Sequence, residues 1–340
     1  MVHRAGMRKE GVPQNWPLAT GRRSIQLWRS SSGRCVEHSL TGRFPALQRS
    51  RETVTVHRSA VAPSDAFRAE AHGSTIVIRA LASTAEQRAC VDLQREIWGN
   101  AFDPVPGAIL QIAMHLGGIA LGAFDDAGVL VGFVFGLTGI DEDGTVIHWS
   151  HMLAVRASLR DAGLGRRLKE RQRQELRRHG ITQMYWTYDP LIAKNAHINL
   201  NILGARVVRY VPDMYGDTGS PLHHGLATDR LVVVCDTTGP AQPAPLALDA
   251  VDGHTPILTA RPQPGDLGAS TGDKTPPQMR LEIPSDFGEL LTTAPAEAGR
   301  WHAATRDHFQ WALANGYVVL GLRRDEVTSR SFYLLEQVYP

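Results

Sequence analysis

Apolar and polar residues alternate in blocks along the middle of the chain, and these blocks predict strands and helices in a mixed order. Residues 75–79 form an apolar run that predicts a first strand, and residues 84–98 carry apolar side chains at helical spacing. Three further apolar runs, separated by two short acidic turns, cover residues 118–124, 129–137 and 145–155. This spacing is typical of a three-stranded antiparallel meander.

A glycine-containing loop joins the last strand of the meander to a basic helix. On that helix Leu164, Leu168 and Leu176 recur on one face, and residues 184–188 then read as another strand. Strand, helix, meander, loop, helix and strand together predict an α/β fold of the α+β type with a mixed sheet. The folded domain is expected to cover residues 73–236.

The two ends of the chain have a different composition. Residues 1–72 show little apolar periodicity and predict a disordered, basic N-terminal extension. Residues 237–277 include eight prolines and predict a linker. Residues 278–340 predict a small β-α-β-β extension, which could pack on the main sheet or form a second lobe.

One apolar segment is long enough on paper to cross a bilayer. Residues 104–124 are uncharged over 21 positions, but prolines and glycines interrupt them. We expect a short helix followed by a strand, and no membrane span.

The loop at residues 156–165 has the chemistry of a phosphate site. A helix start leaves backbone N–H groups unpaired at the positive end of the helix dipole. Gly163 and Gly165 would let a diphosphate approach those N–H groups closely.

Several residues here resemble a known family. Arg160-x-x-Gly163-x-Gly165, preceded by Leu153-x-Val155, is similar to the acetyl-CoA pyrophosphate loop of the GNAT (Gcn5-related) acyltransferase superfamily. The segment from Asn195 to the Leu-Gly-Ala at 203–205 resembles the second signature of that superfamily. Residues 193–200 and 212–216 resemble a subgroup known only as predicted acetyltransferases of unknown acceptor.

The resemblance implies a GNAT-like acyl-CoA N-acyltransferase fold with acetyl-CoA as the acyl donor and no metal. It implies that the backbone of Leu153 and Val155 pairs with the pantetheine and that loop amides hold the pyrophosphate. The implied CoA-binding residues are Leu153, Val155, Arg160, Asp161, Ala162, Gly163, Leu164, Gly165, Arg166 and Asn195. For Asn195 a helix N-cap is the alternative. Of the basic residues Arg166, Arg167, Lys169 and Arg171, about two are expected to act on phosphate.

The base that deprotonates the acceptor is expected on the strand before the loop. His148 and His151 lie there, and histidine titrates in the required range. Strand alternation puts the two on opposite faces, which also weakens a zinc site built from this pair. His151 is the candidate base, and a hydrogen-bonded structural histidine is the alternative for either residue.

The acid that protonates the departing thiolate is less evident. The resemblance implies a tyrosine at a position where this sequence has Leu200. Tyr188, Tyr215 or a water molecule are the candidate substitutes, and core packing is the alternative for Tyr188. Asn199 and Asn201, near Asn195 on the same helix, could contact CoA or substrate.

Charge and cysteine content narrow the cellular setting. Residues 1–70 carry 12 Lys/Arg against 5 Asp/Glu, whereas the whole chain has a formal charge of +2. Cys35, Cys90 and Cys235 are scattered and odd in number, which favours a reducing, cytoplasmic location.

We therefore expect an acyl-CoA-dependent enzyme that transfers acetyl by direct attack of a small-molecule or peptide amine. A non-catalytic CoA-binding or regulatory protein is the alternative, because the usual tyrosine is missing. A third hypothesis, nucleic-acid binding through the basic arm, is disfavoured. No membrane partner is expected, and the sequence leaves the acceptor and the oligomeric state open.

Overall fold

The computed structural model describes residues 67–71, 74–216, 224–239, 255–259, 276–325 and 327–338, all within the unit Arg58–Pro340. The fold is α/β and contains two sheets. The strands of the large sheet are β1 (Phe67–Ala71), β2 (Ser74–Ala80), β3 (Ile119–Phe124), β4 (Leu130–Ile140), β5 (Val146–Val155), β6 (Gln183–Tyr188), β7 (Arg206–Val211) and β8 (Arg230–Asp236). Those of the small sheet are β9 (Ile257–Leu258), β10 (Gln278–Ile283), β11 (Tyr317–Asp325) and β12 (Arg330–Gln337).

The helices lie between these strands. They are α1 (Thr84–Trp98), α2 (Gly107–His115), α3 (Leu164–Arg178), α4 (Ala193–Ala196), α5 (Phe287–Thr293) and α6 (Pro295–Ala314). Helix α4 continues directly into a π-helix, His197–Ile202. The predicted helix at 84–98, the meander and the strand before α4 are confirmed.

The large sheet has the strand order β1-β2-β3-β4-β5-β6-β8-β7, in which only the β5–β6 pair is parallel. Strand β3 is buried at every position because the sheet is covered on both faces. Helix α3 packs on one face through Leu164, Leu168 and Leu176, and helices α1 and α2 cover the other. The mixed sheet predicted from the sequence is confirmed.

Local sequence explains where two helices begin. The Ser83 hydroxyl accepts a hydrogen bond from the Glu86 amide at 3.2 Å, and the Glu86 carboxylate accepts one from the Ala82 amide. This reciprocal cap fixes the start of α1. In the uncharged segment 104–124 the chain forms α2 and β3, as predicted, and none of the described helices has the length and apolar composition needed to cross a bilayer.

The C-terminal residues form their own sheet, in the order β11-β12-β10-β9, and lie against the large sheet. Arg306 on α6 makes two hydrogen bonds to the carboxylate of Asp229, at 2.6 and 2.8 Å. The side chain of Asn201 on the π-helix donates to and accepts from the backbone of Leu322 on β11. These contacts join the two sheets through buried and half-buried polar groups.

Three sequence predictions about the ends need correction. Most of the predicted disordered extension, residues 1–72, lies outside the described residues, but residues 67–71 form β1 and pair with β2. The predicted linker 237–277 contains β9, which pairs in parallel with β10. The extension has two helices rather than one, because Asp286 caps a short α5 before Pro295 starts α6.

Candidate functional site

A cavity opens where strands β5 and β6 separate. These parallel strands pair only at His148 with Met184 and at Trp149 with Tyr185. Beyond that point each strand continues without the other as a partner, and a cavity of about 630 Å³ lies between them. Its wall includes residues from both faces of the sheet, so the cavity passes through the sheet.

The first turn of α3 forms part of the wall on one side. Gly163, the N-cap of this helix, has a φ of 75°, a conformation that glycine adopts without strain. No side chain caps the helix, and the Arg167 amide is the one that closes the first turn onto the carbonyl of Gly163. The amides of residues 164–166 therefore point out of the helix, where an anion can approach them.

Four of the residues predicted to bind CoA line the cavity, namely Leu153, Gly165, Arg166 and Asn195. The other six are not among the lining residues: Val155, Arg160, Asp161, Ala162, Gly163 and Leu164. The Leu164 side chain is buried in the core, so only its backbone is available to a ligand. The role of all ten in binding CoA stays a prediction.

Asp161 and Asn195, two of the residues predicted to bind CoA, have side-chain environments that the sequence did not predict. The exposed carboxylate of Asp161 forms an ion pair with Lys194, which links the loop to α4. The N-cap of α4 is Ile192, so the alternative role of Asn195 as a helix cap is wrong. The Asn195 side chain is exposed and faces the cavity instead.

His151 lies at an irregularity in strand β5. Pairing with β4 shifts register there, because Phe135 faces Met152 while the next residue faces Ser150. The extra residue forms a β-bulge, a feature that re-aims side chains. The His151 ring lies 6.4 Å from that of Phe135 and is exposed where it lines the cavity. The surrounding protein atoms still exclude part of its hydration, which lowers the pKa of His151. Its neutral, proton-accepting form therefore prevails at neutral pH.

His148 lies on the opposite face, as predicted, and belongs to a buried polar chain. We call this the neutral chain: Thr138, His148, Gln172 and Ser150. The Thr138 hydroxyl donates to a backbone carbonyl at 2.7 Å, so it accepts from Nδ1 of His148 at 3.0 Å. Nε2 of His148 then accepts from the Gln172 amide at 3.0 Å, and Oε1 of Gln172 accepts from Ser150 at 2.7 Å. His148 is therefore structural.

A missing side chain makes room for that histidine. A Cβ atom at Gly136 would lie 2.2 Å from Nε2 of His148 and 2.7 Å from the carbonyl oxygen of Trp149. Both distances are shorter than any van der Waals contact, so only glycine fits. Burial, and secondarily the charge of Lys169, lowers the pKa of His148 to about 3.

The four basic residues behind the loop have different environments. Arg166 is exposed at the cavity, and Arg167 is half-buried. Arg171 is buried and lies 2.5 Å from Glu175, so its charge is already paired. Lys169 is 8 % exposed, donates to Ser150 Oγ at 2.7 Å and lines the cavity.

Both candidate tyrosines line the cavity, and Leu200 does not. The Tyr188 hydroxyl is buried next to that of Tyr333, which donates its own proton to the Pro190 carbonyl. Burial raises the pKa of Tyr188. The Tyr215 hydroxyl is 3.0 Å from Thr187 Oγ1. Leu200 is 1 % exposed and belongs to the core, so it has no chemical role.

Sequence reasoning missed much of the cavity wall. The side chains not predicted include Trp98, Phe102, Asp103, Ser150, Trp186 and Arg230, whereas Asn199, a candidate contact, does line the cavity. Asn199 accepts a hydrogen bond from the Trp186 indole at 2.8 Å and holds that ring in place. A signal did exist for α3, where polar Gln172 falls between Leu168 and Leu176 on the buried face.

Metal chemistry has no support among the described residues. They contain no cluster of three or more His, Cys, Asp or Glu side chains that could hold an ion. Cys90 and Cys235 are both buried and unbridged, and Cys35 lies outside the described residues.

Comparison with known proteins gives fold similarities but no sequence match. No protein-family model matches the chain, and neither does any curated protein. A structure of yncA from Salmonella typhimurium with acetyl-CoA matches 49 % of this chain and 97 % of its own, with 22 % identity and a TM-score of 0.39. The ribosomal-protein-S18-alanine N-acetyltransferase from Escherichia coli matches 49 % and 97 %, with 17 % identity and a TM-score of 0.38. A GNAT superfamily phosphinothricin acetyltransferase from Sinorhizobium meliloti with acetyl-CoA matches 47 % and 88 %, with 16 % identity and a TM-score of 0.39.

Proposed function

We propose that this protein is a GNAT-like acyltransferase that transfers the acetyl group of acetyl-CoA to an amine. One observation carries the proposal: the cavity between the diverging strands β5 and β6 includes the uncapped first turn of α3 in its wall. A phosphate site lies next to an opening through the sheet. This arrangement suits acetyl-CoA, a long molecule with phosphates at one end and the reactive thioester at the other.

The phosphate end would bind at the start of α3. The amides of residues 164–166 and the helix dipole favour an anion there, and no acidic residue occupies the first turn. Arg166 would add a positive charge at the cavity. The ion pair between Asp161 and Lys194 removes the negative charge that the loop would otherwise present to a phosphate.

The pantetheine would lie along β5. Beyond Trp149 this strand has β4 on one side and no strand on the other, so the backbone groups near Leu153 and Val155 on that side are available. An extended amide-containing chain can pair with such an edge as an added strand would. The thioester would then lie near the bulge at His151.

The reaction requires a base for the acceptor and a proton for the thiolate. His151 suits the base, because its ring lies in the cavity wall and its lowered pKa keeps it neutral. Tyr188 and Tyr215 suit hydrogen-bond donors to the carbonyl oxygen or the sulfur, since both line the same cavity. The acceptor would be a small molecule or a peptide end.

The test of the site is Gly165→Val with isothermal titration of acetyl-CoA. A Cβ at residue 165 would lie 3.4 Å from the Leu153 side chain, at the limit of ordinary contact, and both residues line the cavity, so the valine methyl groups would take up space at the proposed phosphate site. We expect CoA affinity to fall by about tenfold or more, a loss of at least about 1.4 kcal/mol. Gly299→Val is the matched control, because Gly299 is also helical and has open space around it.

Wild-type affinity in a folded Gly165→Val variant would remove the CoA site from this loop. A non-catalytic CoA-binding protein is the second candidate, favoured by the core position of Leu200 where the resemblance implies a tyrosine. Release of free thiol from acetyl-CoA in the presence of a panel of amines separates the two candidates. Tight binding without thiol release would favour the second.

A further inference from the structure

Lys169 is a buried amine at the point where β5 and β6 separate. It lies four residues after Gly165, near the start of α3. Its Nζ is 2.7 Å from Ser150 Oγ and 4.3 Å from the centroid of the Trp186 ring, and all three residues line the cavity. The amine is thus directed to the cavity by one hydrogen bond and one cation–π contact.

The neutral chain fixes this arrangement. Its hydrogen bonds all run in one direction, so the Ser150 proton is committed to Gln172. Ser150 can then only accept from Lys169, whether the amine is charged or not. Lys169 can therefore gain or lose a proton without rearrangement of its neighbours.

No described carboxylate compensates a charge on Lys169. The titratable or charged groups around it are His148 on β5, Cys235 on β8, and Arg173 and Glu170 on its own helix. Glu170 lies 3.8 Å from Arg166, and no ion pair joins it to Lys169 in the described structure. Burial lowers the pKa of Lys169 to about 7, and the Cys235 thiol raises it only in part. Both protonation states are accessible near neutral pH.

We infer that Lys169 is the catalytic acid that protonates the departing CoA sulfur, in the role that Leu200 cannot fill. This inference rests on the proposed acyl transfer. The acceptor nitrogen forms a bond to the thioester carbon, and the carbon–sulfur bond breaks. The sulfur keeps the electron pair of that bond and accepts a proton from the Lys169 ammonium. The surplus proton of the nitrogen goes to His151 or water, and Lys169 regains a proton from water in the cavity.

Acidity favours Lys169 over the buried tyrosine. An ordinary thiol has a pKa of about 8.5. Burial raises the pKa of Tyr188, so proton transfer from its phenol to a thiolate is unfavourable. Transfer from an ammonium of pKa about 7 is favourable. Tyr188 would remain a hydrogen-bond donor in the same cavity.

The test needs no acceptor. CoA bound to the full-length protein is titrated with pH while the ultraviolet absorbance of its thiolate is followed, and desulfo-CoA supplies the background. An adjacent ammonium lowers a thiol pKa. Because Lys169 itself releases its proton near pH 7, only its protonated fraction acts on the thiol. We expect the bound thiol to titrate a few tenths of a unit below free CoA, an increase of about twofold in thiolate at a given pH. Lys169→Met should abolish the shift, and Gln174→Met, an exposed position on the same helix, should keep it.

A kinetic measurement adds a second readout. In thiol-release assays with acetyl-CoA and a panel of amines, Lys169→Met should lower kcat while leaving the KM for acetyl-CoA unchanged. The wild-type rate should lose its acid-dependent component as pH rises through about 7, and the variant should lack that component. Lys169→Arg should fail as well, because a guanidinium does not release its proton.

The outcomes separate the two proposals. If the wild-type protein does not bind CoA, both the proposed function and this inference are overturned. If CoA binds but its thiol titrates identically in wild type and Lys169→Met, Lys169 is not the acid and the acyltransferase proposal stands.

Discussion

Two buried polar networks in this protein differ in how they treat charge. In the first, which we call the junction network, Asp229 is 3 % exposed and binds Arg306 and Tyr210. In the second, the neutral chain holds Lys169, which has a hydroxyl and an aromatic ring as partners. One network pairs its charge with an opposite charge, and the other does not.

The pKa shifts follow from this difference. Burial acts to raise the pKa of Asp229, but hydrogen bonds from Arg306, Tyr210 and the Asp213 amide outweigh it, so the carboxylate stays charged. Around Lys169 burial prevails, and the pKa falls to about 7. A buried charge that is paired fastens two parts of a structure together, whereas a buried amine without a counterion is ready to exchange a proton.

The largest change in the free energy of unfolding should come from breaking the junction network. Arg306→Met leaves the Asp229 carboxylate buried without its main partner. Breaking a fully buried pair costs about 3–5 kcal/mol. Because the Arg306 side chain is 32 % exposed, we expect about 2–4 kcal/mol in the free energy of unfolding, measured by urea denaturation.

Arg300→Met, an exposed position on the same helix, is the control and should cost little. Adding Asp229→Asn to Arg306→Met should restore part of the stability. A double variant less stable than Arg306→Met would contradict the assignment of the loss to an unpaired charge.

Replacing the cation at the neutral chain, Lys169, by methionine should change the free energy of unfolding in the opposite direction. At pH 7 and below, Lys169→Met should raise the free energy of unfolding by about 1–3 kcal/mol, because it removes a buried amine without a counterion. The unfolded chain holds a proton on Lys169 up to about pH 10.5, whereas the folded protein releases it near pH 7. Stability should therefore increase from about pH 7 to 10.5 in the wild type, and this component should vanish in the variant. If the variant were less stable than the wild type at pH 7, the buried Lys169 amine would not be destabilising the fold.

A smaller loss of stability should follow from weakening the junction network without removing its cation, Arg306. The Tyr210 hydroxyl lies 2.5 Å from Oδ2 of Asp229. Tyr210→Phe should cost about 1.5 kcal/mol, as for a hydrogen bond to a charged group. The loss should be largest above the unfolded pKa of Asp229 and should disappear as pH falls, since protonation removes the charge. Tyr185→Phe, whose hydroxyl bonds only to a neutral amide, should show no such pH dependence.

The smallest effect should come from an ion pair that is not buried. Lys194 and Asp161 are 64 % and 69 % exposed. We expect Lys194→Ala to change the free energy of unfolding by no more than about 0.5 kcal/mol. A loss above about 1 kcal/mol in thermal or urea unfolding would mean that an ion pair stabilises this protein even when it is exposed. Burial would then not explain why the junction network contributes more stability.

Periodicity was sufficient to predict most of the large sheet, because a half-buried element imposes its spacing on the sequence. Helix α1 and strands β3 to β5 follow the predicted boundaries closely. The strands at the ends were missed for a physical reason. Strand β1 lies at the edge of the sheet and β9 has two residues, so neither imposes a long apolar pattern.

The candidate site was predictable only in part. The loop at Gly163 and Gly165 was found because a tight turn at a helix start requires particular residues. Lys169 was named only as one of four basic residues behind the loop, about two of which were expected to act on phosphate. A sequence does not reveal that its side chain bends toward Ser150 and Trp186. That placement depends on the separation of β5 from β6, which is a tertiary property.

The contact between Gly136 and His148 links two positions that are twelve residues apart in the chain. Because a Cβ at residue 136 would occupy the place of the imidazole, each position limits what selection can accept at the other. Related sequences that keep histidine at 148 should keep glycine at 136, and lineages that replace the histidine by a smaller residue should be free to vary both. The pair would then be visible as covariation in an alignment, independently of any catalytic residue.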